Sequence, residues 1–291
     1  MNRIASIRRT VRSLHSTAST INPDEIDFFS RLASQWWDPR GEFALLHRMN
    51  PVRVGFIRDK IIQTLDEDIT PLDHLSPTRS ARILDGMEAL DIGCGGGLLA
   101  ESLARLGART TGVDASESNI KIAALHASAD ARLTTGINYR YGSAEEMVAE
   151  GKKFDLVCSM EVLEHVNNPR TFLTSCADLV KPGGHLFLST ISRTPLSYFL
   201  AIFMAEHALR LVRPGTHDYS KFVKPSELVE FFQHPDLAWI SRTYGGIPIR
   251  KEAEIRGLIY NPLEGAWKTL PAGLSGTQCN YLFWARKPNL S

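Results

Sequence analysis

The most constraining feature of this sequence is a glycine-rich turn between an apolar segment and a helical pattern. Residues 89–92 read Ala-Leu-Asp-Ile, and residues 93–97 read Gly-Cys-Gly-Gly-Gly. Glycines let a backbone bend tightly and approach a ligand without side-chain collision. Asp114 lies 21 residues after Gly93, and a carboxylate at that spacing can accept both hydroxyls of a ribose. The pattern therefore predicts a nucleoside-binding turn at the end of a strand.

Strand and helix patterns alternate from about residue 83 onward. The predicted strands span 87–92, 110–114, 138–141, 154–159 and 185–191. Such alternation indicates right-handed crossovers and a parallel sheet with helices on both faces. Two late strands are expected over 237–247 and 279–286, as an antiparallel hairpin added at the sheet edge.

Two helices are predicted ahead of this alternation. The first begins at Asn22-Pro23-Asp24-Glu25, where Asn22 suits the cap and Pro23 the first helical position. The second begins near Pro51 and ends before a proline-containing loop at 66–80. A length of 291 residues is ample for one core, and we predict a single domain over 23–291 with these helices as its N-terminal extension.

Glycine spacing alone does not identify the nucleoside, because Gly95 to Ala100 also satisfies G-x-G-x-x-A and leaves an NAD-dependent oxidoreductase open. Three segments resemble motifs of the class I methyltransferases: Asp91-x-Gly93-x-Gly95-x-Gly97, Phe154 to Val157, and Leu179 to Gly184. The resemblance implies S-adenosylmethionine as cofactor. It also implies an α/β, Rossmann-like fold with a seven-stranded, mostly parallel sheet and helices on both faces.

An acidic cluster follows the fourth predicted strand. In a helical turn, Glu161, Glu164 and His165 would share one face at the carboxyl end of the sheet. Two carboxylates and an imidazole can hold a divalent cation and leave positions open for a substrate. Metal-free methyltransferases carry a similar stretch that shapes the cofactor pocket, so the motif alone leaves both interpretations open. His165 is also a candidate general base.

Further segments resemble the ubiquinone-biosynthesis O-methyltransferases, over about 26–285 apart from the loop near 66–80. They are Phe29-Ser30, Trp36-Trp37-Asp38, Gly41-Glu42-Phe43, Leu46 to Pro51, Met160 to Val166, Gly215 to Asp218, Lys221-Phe222 and Lys224-Pro225. The resemblance implies cofactor contacts at Arg53, Gly93, Gly95, Asp114 and Met160. Arg53 would pair with the cofactor carboxylate, Asp114 would bind the ribose, and Met160 would pack near the adenine.

The same resemblance implies a magnesium site formed by Glu161, Glu164 and His165, although imidazole is an unusual ligand for so hard an ion. The implied substrates are catechol-type rings with a polyprenyl chain, namely polyprenyl-dihydroxybenzoate and demethylubiquinol. A phenol ionises near pH 10, and a bridging cation would lower that pKa. The alternatives are a carbon methyltransferase of the same pathway and a non-catalytic scaffold in a lipid-synthesis assembly.

The N-terminal segment has the composition of a targeting sequence. Residues 1–22 contain four arginines, several serines and threonines, and no acid, which is typical of a mitochondrial presequence. The family resemblance then implies a peripheral position on the matrix side of the inner membrane, in a multi-enzyme ubiquinone-biosynthesis complex. A formal net charge of only +1 argues against a nucleic-acid partner.

An amphipathic pattern interrupts the later part of the chain. Leu196, Phe199 and Phe203 follow helical spacing, and basic residues continue to about 221. The pattern indicates a membrane-facing insertion around 196–221. A lid helix packed on the core has the same periodicity and remains the alternative.

Overall fold

The computed structural model describes residues 19–68, 81–202, 218–272 and 276–289. The predicted presequence, the 66–80 loop and the 196–221 insertion lie largely outside the described residues. Ser19 to Asn22 are described, and Thr20 is buried against the domain, where its Oγ1 donates a hydrogen bond to Glu145. The folded structure therefore begins ahead of position 23, where we expected the domain to start.

Two helices precede the sheet. Helix α1 spans Pro23–Leu32, and the Asn22 side chain accepts a hydrogen bond from the Asp24 N–H, as predicted. Helix α2 spans Ala44–Asp68 and contains Pro51 in its interior. The predicted start at Pro51 is wrong. A proline removes one helical hydrogen bond, and burial of residues on both sides of it, Met49 and Phe56, offsets that cost.

Five parallel strands alternate with helices, which confirms the predicted α/β architecture. The strands are β1 (Glu88–Ile92), β2 (Arg109–Asp114), β3 (Ile137–Tyr141), β4 (Phe154–Met160) and β5 (Val180–Ile191). The helices between them are α3 (Leu98–Arg105), α4 (Glu117–Ser128), α5 (Ala144–Ala149) and α6 (Pro169–Leu179). The strand order is β3-β2-β1-β4-β5. Strands β2 and β3 are added on one side of β1, and β4 and β5 on the other, so the connections switch sides between β1 and β4. Ligands bind at such a switch point, outside the carboxyl ends of the strands.

The antiparallel end of the sheet differs from the prediction. After helix α7 (Pro225–Gln233), residues 237–247 do not form a strand of the main sheet. Only the short strands β6 (Thr243–Tyr244) and β7 (Ile247–Pro248) pair there, in a separate ribbon. The sheet is completed by β8 (Ala253–Asn261), β9 (Ala266–Ala272) and β10 (Asn280–Arg286) in the order β5-β10-β8-β9. The described sheet thus has eight strands rather than the expected seven.

Apolar side chains pack on both faces of the sheet. One layer contains Phe172, Phe232 and Phe283, and the other contains Phe56 and Trp284. A sheet covered on both faces is held as a rigid platform, which fixes the strand ends that carry the site. In the part of the chain that the structure describes, no helix combines the length and apolarity needed to cross a bilayer.

Candidate functional site

One edge of the sheet gathers the candidate residues. Strand β10 runs opposite to β5 and β8, so Asn280 at its start pairs with Ile191 at the end of β5 and with Leu258 on β8. The carboxyl ends of β1, β2, β4, β5 and β8 therefore meet at one edge. A cavity of about 390 Å³ lies there, and its wall includes Gly93, Gly95, Asp114, Met160, Glu161, Glu164 and His165.

The glycine turn after β1 has the predicted geometry. Gly93, Gly95 and Gly97 have φ values of 70°, 54° and 89°, a region that side chains disfavour. Close neighbours add a second requirement. A Cβ on Gly95 would lie 2.2 Å from the Trp36 ring, and one on Gly97 would lie 2.1 Å from the Tyr139 hydroxyl. These positions therefore require glycine, both because φ is positive and because no space is left for a side chain.

Asp114 anchors this turn from the end of β2. Its carboxylate accepts hydrogen bonds from the N–H groups of Gly95 and Ser116, both at 2.8 Å, and from the Asn119 side-chain amide at 3.2 Å. A carboxylate offers about four acceptor positions, so one remains for a ribose hydroxyl. Burial raises the pKa of Asp114, against the effect of these hydrogen bonds. Asp114 therefore has room for one ribose hydroxyl, rather than for the two that the sequence suggested.

Arg53 on α2 is buried beside the acidic cluster rather than on the cavity wall. Its Nη2 lies 3.4 Å from Glu161 Oε1, while Nε and Nη2 have no hydrogen-bond partner among the described residues. Burial raises the pKa of Asp91 to about 7, and the charge of Arg53 opposes that rise. Unpaired guanidinium donors would suit a carboxylate such as that of the methionine portion of S-adenosylmethionine, but Arg53 does not line the cavity, so this contact stays a prediction.

Met160 ends β4 and Glu161 follows it, at the centre of the edge. Met160 is buried and lines the cavity. Glu161 has a φ of 57°, which is uncommon for a residue with a side chain and marks local strain. Its carboxylate accepts hydrogen bonds from Ser189 Oγ at 2.6 Å and Asn280 Nδ2 at 3.3 Å. The strained backbone is therefore held by partners on β5 and β10.

Glu164 and His165 lie in the short 3₁₀ turn Leu163–His165. Glu164 is buried and accepts a hydrogen bond from Thr190 Oγ1 at 2.7 Å; burial and the nearby charge of Glu161 raise its pKa. His165 Nδ1 lies 3.0 Å from Glu25 Oε2 on α1. Burial lowers the pKa of His165, but the hydrogen bond to Glu25 and the charge of Glu164 outweigh burial and raise it.

The three predicted metal ligands are brought to one cavity but not to a ready-made ligand set. Among the residues that the structure describes, no three His, Cys, Asp or Glu side chains form a group that could hold a metal ion. Each predicted ligand instead has a protein partner: Ser189 for Glu161, Thr190 for Glu164 and Glu25 for His165. The expected convergence of the three side chains is therefore not observed in this arrangement.

Aromatic residues ahead of α2 cover the glycine turn, which the sequence did not predict. Trp36 stacks on Phe43 with ring centroids 3.8 Å apart, and its Nε1 donates to Asn119 Oδ1 at 3.0 Å. Trp37 Nε1 donates to the Gly96 carbonyl at 2.9 Å. The adjacent tryptophans were a visible signal, but their contacts with a turn about 60 residues away depend on tertiary structure.

Comparison with known proteins gives consistent results. A family model described as a methyltransferase domain matches residues 65–245. A ubiquinone biosynthesis O-methyltransferase of Rhizobium etli is 42% identical over 270 residues, covering 93% of this chain and 97% of the relative. One from Brucella ovis is 41% identical with the same coverage. One from Rhizobium leguminosarum is 44% identical over 249 residues, covering 86% and 89%.

Solved structures agree at the level of the fold. A SAM-dependent methyltransferase of Thermotoga maritima, described as a possible histamine N-methyltransferase, has a TM-score of 0.52 at 17% identity, covering 90% of this chain and 99% of that one. The magnesium protoporphyrin IX methyltransferase of Synechocystis with bound SAM has a TM-score of 0.52 at 14% identity, covering 93% and 100%. These similarities confirm the predicted class I methyltransferase fold.

Proposed function

The chain belongs to the ubiquinone biosynthesis O-methyltransferases, and from this membership we propose that it methylates one hydroxyl of a catechol-type ring bearing a polyprenyl chain. It is a SAM-dependent methyltransferase. Polyprenyl-dihydroxybenzoate and demethylubiquinol are the substrates that fit this assignment. The observation that carries the proposal is the single cavity that joins the glycine turn and Asp114 to the cluster at Glu161, Glu164 and His165. The names of the relatives favour oxygen over carbon as the methyl acceptor and leave the NAD-dependent alternative without support.

The reaction requires an ionised oxygen. The sulfur–methyl bond of the cofactor breaks as the oxygen–methyl bond forms, and the sulfonium becomes a neutral thioether. A phenol ionises near pH 10, so its proton must leave before or during attack. If no cation is bound, His165 is the residue placed to accept that proton, because Glu25 holds its Nδ1 and raises its pKa. Since an ionised carboxylate only accepts hydrogen bonds, Nδ1 carries the proton and Nε2 is the basic nitrogen.

A divalent cation, Mg²⁺ in the simplest case, belongs to the proposal as a cofactor held by Glu161, Glu164 and His165. Two observations favour the fit. The raised pKa of Glu164 reflects burial and the charge of Glu161, so this carboxylate pair lacks full compensation by a cation. A metal-binding histidine typically donates its other nitrogen to a carboxylate, as Nδ1 does to Glu25. When bound, such an ion lowers the pKa of a coordinated hydroxyl.

Two variants separate cofactor binding from methyl transfer. With S-adenosylmethionine and synthetic prenylated catechols, we expect Asp114→Asn to weaken cofactor affinity by about tenfold or more, since a charge-assisted contact is lost. Glu164→Gln should abolish methylation while cofactor affinity, measured by calorimetry, stays near that of the wild type. Transfer should stop in chelator and return with added Mg²⁺.

Failure of the wild type to methylate any catechol would refute the proposed function. Full turnover in chelator, with a pH profile that depends on His165, would instead show that His165 accepts the phenol proton and that the reaction needs no cation.

The proposal extends to where the enzyme works. The acid-free, arginine-containing stretch 1–22 supports mitochondrial import, and a polyprenyl substrate supports a peripheral position on the matrix side of the inner membrane. The exposed side chains of Leu196 and Tyr198, at the start of the 196–221 insertion, support contact with lipid. Assembly with other enzymes of ubiquinone biosynthesis would pass this insoluble substrate between active sites.

A further inference from the structure

We propose that the far end of the cavity binds the aliphatic chain of the substrate, a role that presupposes the proposed function. This apolar arm is walled by Leu45 and Leu46 at the start of α2, and by Ile259, Tyr260 and Trp267 on the β8–β9 hairpin. The family resemblance implied no role for any of the three hairpin residues. Their place along the sheet edge and their chemistry indicate this ligand.

The sheet order places the apolar arm beyond the reacting centre. Strand β8 lies three positions from β4, with β5 and β10 between them. At a spacing of roughly 4.8 Å per strand, β8 is about 14 Å from the strand that carries Met160. Because β8 is parallel to β4 and β5 in direction, Ile259 lies at the same edge as the acidic cluster. The cavity therefore continues well past the width of one aromatic ring.

Polar atoms in the apolar arm are already paired. Trp267 Nε1 donates to the Leu45 carbonyl at 3.0 Å, and the Tyr260 hydroxyl accepts a hydrogen bond from Arg48. The wall therefore presents aliphatic and aromatic surface, whereas the reacting centre presents carboxylates, an imidazole and an amide. A ligand that fills both parts must be polar at one end and apolar along its length.

The apolar arm is held in place before any ligand arrives. The Tyr260 and Trp267 rings are 5.5 Å apart, and the buried Lys60–Glu254 ion pair joins α2 to β8. A preformed wall spends little binding energy on ordering itself, so each buried methylene contributes to affinity. Pro262 also lines the cavity, and the next residue, Leu263, is 96% exposed at the hairpin tip. A chain longer than the arm would leave beside this apolar tip.

The test measures kcat/KM for a series of 4-alkyl catechols of increasing chain length. In the wild type, kcat/KM should rise by up to about fourfold per methylene until the arm is full and then level off. Leu46→Trp and Ile259→Trp fill the arm from opposite walls and should each abolish the dependence on chain length. The tailless catechol is the internal reference within each variant, and affinity for S-adenosylmethionine reports whether the variant has folded.

Leu125→Trp on α4 is the matched control, because Leu125 is 69% exposed and lies outside the cavity wall. This variant should keep the wild-type slope. A wild-type slope in folded Leu46→Trp and Ile259→Trp, or no slope in the wild type, would overturn the assignment of the arm alone. No methylation of any catechol, tailless ones included, would overturn the proposed function itself.

Discussion

Asp91 shows how one residue at the cofactor edge affects stability. It is buried at the end of β1, and burial raises its pKa to about 7 from an ordinary value near 4. The folded state therefore binds this proton more tightly than the unfolded state does. By linkage, the free energy of unfolding falls as pH rises between those two values. Above pH 7, Asp91 contributes no further pH dependence.

We expect Asp91→Asn to remove that pH dependence. Relative to the wild type, its free energy of unfolding should improve between about pH 4 and pH 7, by on the order of 4 kcal/mol at the upper end. Urea unfolding at a series of pH values measures the difference. Asp236→Asn changes an exposed carboxylate and is the control. Parallel curves for the wild type and Asp91→Asn would contradict the buried-charge explanation.

At the scale of elements, the segment ahead of α2 covers the glycine turn. Trp36→Ala would remove the ring that lies over Gly95 and Gly96 and its hydrogen bond to Asn119. We expect the Kd for S-adenosylmethionine to rise about tenfold, mainly through faster dissociation, because a large aromatic anchor is lost. Stopped-flow fluorescence and calorimetry measure both quantities. Tyr244→Ala removes an aromatic ring that is 68% exposed and should leave them unchanged; equal effects would refute the covering role.

The ion pair between α2 and β8 makes a second prediction at this scale. Lys60 and Glu254 are both buried, and burial lowers the pKa of Lys60 despite its partner. We expect Glu254→Gln to reduce the free energy of unfolding by about 3–5 kcal/mol, because it leaves a buried ammonium uncompensated. Glu264→Gln breaks an exposed pair with Lys268 and should cost under about 1 kcal/mol. Similar losses in both variants, measured by urea unfolding, would show that burial does not set the cost.

Local signals predicted the elements that local chemistry determines. The Asn22 cap and the glycine turn after β1 both form as the sequence indicates. The strands β8 and β9 escaped prediction because polar residues interrupt their apolar pattern. Glu254, for example, is buried in an ion pair with Lys60, which lies 194 positions earlier in the chain. Long-range partners of that kind have no local signature.

The candidate site was predictable to a similar extent. Residues at strand ends, such as Asp114 and Glu161, lie at the cavity because parallel strands share an edge. The hydrogen bonds that already occupy Glu161, Glu164 and His165 come from other strands and from α1, so spacing could not reveal them.

For the molecule as a whole, the proposed membrane contact can be tested on the part of the insertion that the structure describes. Leu196 is 44% exposed, and Leu196→Glu should weaken binding to anionic vesicles by about tenfold, because a leucine that would enter the lipid is replaced by a charge that the anionic surface repels. Leu125→Glu places the same charge on α4, away from the insertion, and should bind vesicles as the wild type does. Sedimentation with liposomes compares them. Equal binding by all three proteins would end the proposal of lipid contact through this segment.

The cofactor turn is covered by Trp36 and Trp37, in the segment between α1 and α2, while the opposite end of the cavity is bounded by the β8–β9 hairpin. Different parts of the chain thus border the cofactor end and the hairpin end of the cavity. If the polyprenyl chain of the substrate binds in the apolar arm as proposed, the spent cofactor leaves by the glycine-turn end while the substrate stays bound at the hairpin end, so neither ligand has to wait for the other. We therefore expect a random order of addition in steady-state kinetics, with the spent cofactor exchanged while the substrate stays bound.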